Sequence, residues 1–195
     1  MSDKQHTTAT VEQRVAAVER VLEKRIRDAD LSVEATIEAM EEKLLAENGA
    51  RVVARAWTNP DFRRRLLADG KAAVAELGIP LTPIQRQLYV LENTPEVHNV
   101  IVCTLCSCTA VTLIGPPPDW YEDLEYRARV VRESRTVLNE MGCTLPPETD
   151  IRVWDTTADT RYMVLPLQPP QTVGWPEEKL ALVVTRDSLI GVARL

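Results

Sequence analysis

Residues 100–110 of the chain read Val-Ile-Val-Cys-Thr-Leu-Cys-Ser-Cys-Thr-Ala. Three cysteines, Cys103, Cys106 and Cys108, therefore fall within six residues, directly after a β-branched run that predicts a buried strand. A thiolate is a strong and soft ligand, so three of them on one loop indicate a metal site. We call this loop, from Cys103 to Cys108, the cysteine loop, and the rest of the chain is interpreted around it.

Other uses of the three thiols are weaker hypotheses. Zinc usually takes four ligands in two separated pairs, but the fourth cysteine, Cys143, is isolated, and His6 and His98 do not form a pair. An iron–sulfur cluster generally requires four cysteines at other spacings. A disulfide is not expected, because the N-terminus lacks the apolar core of a signal peptide and cytosolic thiols are kept reduced. Inert core cysteines remain the simplest alternative, and this is the role expected for Cys143.

The spacing within the cysteine loop favours a one-sided site. Because only Ser107 separates Cys106 from Cys108, the backbone nitrogens of Ser107 and Cys108 must lie close to any ion that both sulfurs bind. Two thiolates and two amide nitrogens can then form a plane, with Cys103 on one side. The opposite side stays open, which is typical of a catalytic metal site.

The loop and the segments around it resemble the alpha subunits of nitrile hydratase. Roughly residues 50–193 share the resemblance, which is carried by Glu92–Pro95, Pro117–Tyr121, Glu125–Glu133, Ile151–Asp155, Arg161–Pro166 and Val184–Ala193. The resemblance implies an α+β fold, with a layered helix/sheet metal-binding domain. It also implies hydration of R–C≡N to R–CO–NH₂ at a low-spin Co(III) centre, or alternatively Fe(III), with one ion per chain.

The resemblance further implies a role for each residue of the loop. Cys103 corresponds to the axial ligand, and Cys106 and Cys108 lie in the equatorial plane with the amides of Ser107 and Cys108. Cys106 is then oxidised to a sulfinate and Cys108 to a sulfenate. Ser107 and Cys108 are the catalytic candidates, since the nucleophile is the Cys108 sulfenate oxygen, a hydroxide on the metal, or a water activated by either. Thr104 resembles the cobalt-type motif, where iron-type members have serine.

Other residues refine or depart from this pattern. The segment Thr109–Thr112 lacks the Trp-Pro pair expected from the family, and the smaller Val111 predicts a wider pocket. In this the chain resembles multi-subunit members that act on bulky heterocyclic nitriles. By the same resemblance, Gln85 lies where family members have a glutamine that contacts the active-site network. The arginines that hold the oxidised sulfurs in the family come from the beta subunit, so that role is not assigned to any arginine here.

The resemblance implies partners and leaves two alternatives open. We expect beta-type subunits in a hetero-oligomer, a metallochaperone or activator, and a small nitrile as substrate. The first alternative is the metal-bearing subunit of thiocyanate hydrolase, which shares the cysteine motif. The second, from another class, is a non-catalytic metal-binding or redox-sensing module.

Composition sets wider bounds. At 195 residues and 45% hydrophobic, the chain can bury one core, with or without an appendage. A formal charge of −6 gives no reason to expect nucleic acid, and neither a polybasic segment nor a spanning apolar run suggests a membrane. The cytoplasm is the default compartment.

The first third, residues 1–79, is predicted to be a helical arm or subdomain. Val15, Val18 and Leu22 recur on one face of a first helix. A second helix is expected from Ser32 to a stop at Asn48-Gly49, and a third from a cap at Asn59 to Leu77. Two amphipathic helices with few places to bury their apolar stripes favour an arm that embraces a partner subunit. The alternative is a helical subdomain packed on its own body.

Residues 80–195 are predicted to form the catalytic α+β domain. Strands are expected near residues 88–91, 97–102, 151–154, 162–167 and 189–193. A helix from Asp119 to Met141 is expected to bury Leu124, Ala128 and Val131. Another helix begins at Pro176, and His98 is expected to be a packed strand residue rather than a ligand. Four arginines on one helix are read equally as an interface or as a solvated face: Arg127, Arg129, Arg132 and Arg135.

Overall fold

The computed structural model of the chain describes residues 10–28, 47–79, 81, 86–106 and 108–195. Inter-residue contacts divide the chain into two units, Met1–Glu42 and Lys43–Leu195. Three sequence-based predictions therefore lie outside the described residues: the helix from Ser32, the network role of Gln85, and the ligand and catalytic roles of Ser107.

The first unit contains helix α1, Val11–Asp28, as its apolar periodicity predicts. Thr10 begins it with a reciprocal cap, in which its hydroxyl accepts from the backbone N–H of Gln13 and its own N–H donates to the Gln13 side chain. The apolar stripe of α1 is at least half exposed at each of Val11, Val15, Val18, Val21 and Leu22. A helix gains most of its stability from packing one face, so this stripe lacks the burial that normally holds such a helix.

The second unit mixes short helices with four strands. Its elements are α2 (Glu47–Thr58), α3 (Pro60–Ala68), α4 (Gly70–Glu76), β1 (Gln87–Glu92), β2 (Val97–Val102), α5 (Val111–Ile114), α6 (Asp119–Glu122), α7 (Leu124–Val130), α8 (Ser134–Glu140), β3 (Asp150–Asp155), β4 (Thr160–Leu165), a 3-10 turn (Pro170–Thr172), α9 (Glu177–Ala181) and α10 (Arg186–Ile190). The α+β class predicted from the sequence is confirmed.

The four strands form two parallel pairs. β1 pairs with β4 so that Tyr89 lies opposite Tyr162, and β2 pairs with β3 so that Val102 lies opposite Asp155. Parallel strands need a long crossover, and the crossover from β2 to β3 carries the cysteine loop and helices α5 to α8. The loop therefore leaves the carboxyl end of β2 beside the carboxyl end of β3, the edge where binding sites form in parallel sheets.

The core lies around β2. Its last three residues, Val100, Ile101 and Val102, are at most 1% exposed, and one continuous apolar cluster joins them to both sheets and to helices α2 to α8 and α10. Because parallel strands are covered on both faces, such a strand reads as a nearly continuous apolar run in the sequence. The cysteine loop thus begins at the end of one of the most deeply buried strands among the described residues.

Two features of the helices differ from the prediction in the first part of this unit. Asn48 and Gly49, predicted to stop a helix, lie inside α2. Gly49 is needed there for contact, since a Cβ would collide with the carbonyl of Leu113 and with Leu189. The helix predicted from Asn59 to Leu77 begins at the expected cap, with the Asn59 side chain accepting from Phe62 N, but breaks at Asp69, which caps α4.

The helix predicted from Asp119 to Met141 is wrong as a single element. It is three helices, because the Asp123 carboxylate accepts from the backbone N–H groups of Glu125 and Tyr126 and starts α7 afresh. The new start turns a different face inward. Leu124 is 76% exposed, whereas Tyr126 is buried.

The strand predicted at residues 189–193 is also wrong. Residues 186–190 form α10, which begins with a capping box between Thr185 and Ser188 and ends at Gly191 in the left-handed conformation. An apolar run this short is compatible with a strand or a helix, and the capping box at Thr185 favours the helix.

The domain boundary expected between residues 79 and 80 stays a prediction, because contacts alone do not test which part folds by itself. Helices α2 to α4 lie within the second unit, and α4 packs on β1. Among the described residues, no helix is both long and apolar enough to cross a membrane.

A buried polar network braces the middle of β2. The backbone N–H of Asn99 donates to the side chain of Asn93 at 2.8 Å, and Trp154 Nε1 donates to Asn99 Oδ1 at 2.9 Å. His98 Nε2 lies 2.7 Å from the Gly191 carbonyl. That oxygen only accepts, so Nε2 carries the hydrogen. Burial lowers the pKa of His98, which keeps the ring neutral. The prediction that His98 packs as a strand residue is confirmed.

Gly191 offers a test of how closely α10 approaches β2. Its φ is +94°, and a Cβ would overlap the carbonyl oxygen of Asn99 and lie 3.1 Å from the Cα of Val100. Gly142 has a similar φ of +86° and nothing within 4 Å of a Cβ, so Gly142→Ala is the matched control. Positive φ alone costs a residue with a Cβ about 1–2 kcal/mol, and overpacking adds about 1–3 kcal/mol.

We therefore expect Gly191→Ala to lower the free energy of unfolding by clearly more than Gly142→Ala in chemical denaturation. Equal losses in the two variants would show that the close approach to Asn99 carries no cost.

Candidate metal centre

The structure brings the three thiols of the loop together. The Sγ atoms of Cys103 and Cys106 are 3.2 Å apart, those of Cys106 and Cys108 are 2.9 Å apart, and all three lie within 4.8 Å of one another. Cys103 is buried, Cys108 is partly buried and Cys106 is exposed. The group therefore opens on one side from the core towards the surface, and none of the three thiols is in a disulfide.

The first turn of the loop is fixed by a carboxylate at the end of β3. Asp155 accepts from the backbone N–H of Thr104 at 2.9 Å and from its hydroxyl at 2.5 Å. The pairing of Val102 with Asp155 makes this possible, because it places the two strand ends side by side. Two-point acceptance by one carboxylate fixes orientation as well as distance.

Main-chain carbonyls of the loop and of β2 are held by side chains of the next segment. The hydroxyls of Tyr121 and Thr156 each lie 3.3 Å from the carbonyl oxygen of Cys108. The hydroxyl of Tyr126 lies 3.3 Å from that of Ile101. Tyr121 and Tyr126 thus hold the main chain of the cysteine loop and of β2 through its carbonyl oxygens.

Arg127 makes the same kind of contact nearer the middle of the loop. Its Nη1 donates to the carbonyl oxygen of Cys106 at 3.2 Å, and its Nη2 donates to the carbonyl of Glu122. By contrast Arg129, on the same helix, pairs with Glu133 and Glu140 at 2.7 Å. The two arginines thus have different roles, although the sequence places them in one row.

The electrostatics of the three sulfurs favour a bound cation. Burial raises the pKa of Cys103, but hydrogen bonds from the Thr156 hydroxyl and the Cys106 thiol outweigh it and leave that pKa at about 7. The thiol of Cys106 has the opposite shift, because its hydrogen bonds with Cys108 and Cys103 raise its pKa to about 11. Negative charge therefore collects first on the buried sulfur, and a metal ion would replace the shared protons.

These residues fit a thiophilic transition metal. Three soft donors on a one-sided surface suit such an ion better than Mg²⁺ or Ca²⁺, which prefer oxygen. Within the described residues, Cys103, Cys106 and Cys108 are the group of His, Cys, Asp and Glu side chains that could hold a metal ion. Cys143 is buried, and burial raises its pKa, as expected for an inert thiol.

Sequence reasoning missed four supporting side chains: Asp155, Thr156, Tyr121 and Tyr126. Asp155 and Thr156 follow the apolar run of β3, and a rule that ligands gather at the carboxyl ends of parallel strands would have suggested them once the pairing was known. No local signal marks the two tyrosines, since their function depends on how α6 and α7 pack.

Three thiols that meet at the carboxyl end of a buried parallel strand define an α+β protein with a candidate metal site. Residues 9–193 match the family model described as nitrile hydratase, alpha chain. The chain belongs to the nitrile hydratase alpha-chain family. The enzyme class inferred from the sequence, a nitrile hydratase and hence a hydro-lyase, is confirmed with it.

Individual relatives agree with this assignment. Over 180 residues the chain is 46% identical to the cobalt-containing nitrile hydratase subunit alpha of Pseudonocardia thermophila, covering 92% of this chain and 88% of the relative. Over 154 residues it is 44% identical to the thiocyanate hydrolase subunit gamma of Thiobacillus thioparus, covering 74% and 63%. A solved structure of a double mutant of the Fe-type nitrile hydratase from Comamonas testosteroni Ni1 superposes with a TM-score of 0.82 at 52% identity, covering 97% and 92%.

The geometry of the loop predicts which cysteines the protein needs in order to bind metal. Replacing Cys103, Cys106 or Cys108 by alanine removes a strong donor from one small set, so each variant should lose most of its bound metal and its activity. Cys143→Ala is the control and should keep its metal content. The measurement is metal analysis of the purified variants. Near-normal metal in two of the three loop variants would rule out this ligand set.

Proposed function

We propose that this chain is the catalytic, metal-bearing alpha subunit of a cobalt-type nitrile hydratase, and that Cys103, Cys106 and Cys108 hold one Co(III) ion. The observation that carries the proposal is the convergence of three sulfur atoms within 4.8 Å at the end of β2. Thr104 and the cobalt-containing relative support cobalt, whereas the Fe-type neighbour makes Fe(III) the alternative.

Each residue of the loop has a proposed role. Buried Cys103, together with Cys106, Cys108 and the backbone nitrogens of Ser107 and Cys108, would hold the ion. We propose that dioxygen oxidises exposed Cys106 to a sulfinate and Cys108 to a sulfenate, because thiolates on an open surface are accessible to it. The bound ion would supply a Lewis acid that polarises a nitrile or acidifies water.

The catalytic candidates are Cys108 and Ser107. The carbonyl of Cys108 is held by Tyr121 and Thr156, so the sulfur of this residue projects from a fixed backbone. A fixed sulfenate oxygen can be aimed at a nitrile carbon, or can accept a proton from water, without first being ordered. Ser107 is proposed for its backbone nitrogen and for its place between the two oxidised cysteines.

We propose a bulky heterocyclic nitrile as substrate, of the kind hydrated by toyocamycin nitrile hydratase. Support comes from Val111, which begins α5 three residues after Cys108 and is only partly buried. A larger side chain there would occupy space beside the loop. Leu105, 88% exposed at the tip of the loop, adds an apolar surface next to the site.

Thiocyanate hydrolysis is the second candidate function. The observation that favours it is the 44% identity to the thiocyanate hydrolase subunit gamma, although the match covers only 63% of that protein. Both reactions add water to a carbon–nitrogen triple bond, so a shared cysteine loop does not separate them. The products do.

The test uses the chain purified with its beta-type partner from cells grown with cobalt. We expect about one cobalt per chain, because three sulfur ligands form one group, and release of the amide from a cyano-substituted heterocycle. Thiocyanate should yield no carbonyl sulfide or ammonia. Peptide mass analysis should show two added oxygen atoms on Cys106, one on Cys108 and none on Cys103. Carbonyl sulfide without amide would establish the second candidate, and bound zinc would overturn the cobalt centre.

We further propose that the chain assembles with a beta-type subunit, receives its metal from a metallochaperone or activator, and works in the cytoplasm. The exposed apolar stripe of α1 supports an arm that binds the partner. Five such side chains offer roughly 1.5–3 kcal/mol each when fully buried. That gain exceeds what the ordering of a few side chains costs.

The arm is tested by removing its apolar stripe. Replacing Val15, Val18 and Leu22 by glutamine should weaken assembly with the beta-type subunit in sedimentation, because the stripe loses its apolar contacts. Glutamine at Glu12, Glu19 and Glu23 is the control, since these acidic side chains are exposed on α1 and carry no apolar surface to bury. Deletion of residues 1–42, which stops short of α2, should weaken assembly in the same way. Unchanged assembly in both would show that α1 does not bind the partner.

A further inference from the structure

Arg127 holds a position that its role as a surface arginine does not explain. Its guanidinium donates to two main-chain carbonyls, those of Cys106 and Glu122. Its Nε is buried and has no hydrogen-bond partner among the described residues. In the same part of the chain, no carboxylate forms an ion pair with it, whereas Arg129 has three: Glu125, Glu133 and Glu140.

An arginine in this state is costly unless an anion approaches it. A buried N–H without an acceptor loses its hydration and gains nothing in return. A partly buried cation without a counter-charge is disfavoured for the same reason. The cysteine loop can supply negative charge through Cys103, Cys106 and Cys108, and Arg127 already contacts the carbonyl oxygen of Cys106 in this loop.

The helix that carries Arg127 is firmly placed. The Asp123 carboxylate caps α7, and Tyr126, the residue before Arg127, is buried with its hydroxyl 3.3 Å from the carbonyl of Ile101 in β2. Both ends of the contact are therefore fixed: the guanidinium by α7, and the loop by the strand from which it starts. The contact therefore fixes the distance between α7 and the carbonyl of Cys106, which a flexible surface arginine would not do.

The carbonyl that Arg127 contacts has a special place in the covalent chain. The oxygen of Cys106 belongs to the same peptide group as the backbone nitrogen of Ser107. When such a nitrogen acts as an anionic ligand, its negative charge is shared with the carbonyl oxygen of its peptide. A cation that donates to this oxygen stabilises the charge, and a charge-assisted hydrogen bond is about twice as strong as a neutral one.

We infer that Arg127 is a positioning residue of the metal centre. It holds the carbonyl of Cys106 and balances the negative charge that this part of the cysteine loop carries when metal is bound. The inference rests on the proposed function, because it needs the Ser107 nitrogen as a ligand. It assigns to this chain a cationic contact that is separate from any arginine of a partner subunit.

The test compares three variants, each purified with the beta-type subunit from cells grown with limiting cobalt. Arg127→Gln removes the charge but keeps a hydrogen-bond donor. Arg127→Lys keeps the charge but loses the planar pair of nitrogens that donate to two carbonyls at once. Arg132→Gln is the control, because Arg132 is an exposed arginine just beyond the same helix. Three quantities are measured in each: cobalt per chain, the position of the visible absorption band of the metal centre, and the oxygen atoms added to Cys106 and Cys108.

We expect the control to match the wild type. Arg127→Gln should need at least about ten times more cobalt for half-loading, which is the change expected when a hydrogen bond to a charged group is lost. The loaded fraction should show a displaced absorption band, because the donor strength of the peptide nitrogen has changed. Arg127→Lys should restore the band position and part of the loading.

A band that is unchanged in Arg127→Gln, with cobalt content equal to that of Arg132→Gln, would overturn the inference. If Arg127→Gln fails to assemble, Arg127→Lys decides. An assembled lysine variant with a wild-type band supports the charge role, and one with a displaced band and little cobalt refutes it. Failure of the wild type itself to bind metal would instead refute the proposed function, so the two failures are distinguishable.

Discussion

The parallel pairing of β2 with β3 is the constraint on which the site depends. The register sets Val102 opposite Asp155, and the backbone N–H of Thr156 continues the ladder by donating to the carbonyl of Val102 at 2.9 Å. The cysteine loop therefore starts where two side chains of the neighbouring strand, Asp155 and Thr156, are already in place. A shift of one residue in this register would turn Asp155 to the other face of the sheet and leave Thr104 without its acceptor.

The protein holds the main chain of the cysteine loop at several described points. Tyr121, Thr156 and Arg127 all bind carbonyl oxygens, and Asp155 binds the N–H and hydroxyl of Thr104. With the backbone held at several points, the sulfur positions follow from side-chain torsions alone. A metal site built in this way costs little ordering when the ion arrives, since most of the loop is already in place.

Features that depend on residues close together in the sequence were predictable, and features that depend on distant residues were not. The cysteine cluster, β2 and the cap at Asn59 depend on near neighbours in the chain, and all were predictable. The role of Asp155 depends on a pairing across about fifty residues, which no local pattern specifies. Residues 189–193 were predicted wrongly although the deciding signal is local. Their apolar run looks like a strand, but the capping box at Thr185 starts α10, and the run forms the end of that helix.

The helices after the loop show how one side chain changes a prediction. A continuous helix from Asp119 would bury Leu124, but the cap at Asp123 restarts the helical phase and buries Tyr126 in its place. The burial of Tyr126 in place of Leu124 matters for the site, since a tyrosine hydroxyl can donate to the carbonyl of Ile101 and a leucine cannot. The same restart places Arg127 beside Cys106. The error in the sequence prediction thus lies at the residues that support the metal centre, where local pattern and function diverge.

The contact between Thr104 and Asp155 also limits what the threonine signature can mean. Its hydroxyl donates to Asp155, and a serine at this position has the same donor. The hydrogen bond therefore does not distinguish a threonine loop from a serine loop. What differs is the methyl group, which makes threonine stiffer about χ1 and keeps the hydroxyl aimed at Asp155. Any link between this residue and the choice of metal must then act through the rigidity of the loop's first turn, and not through a change in the ligands.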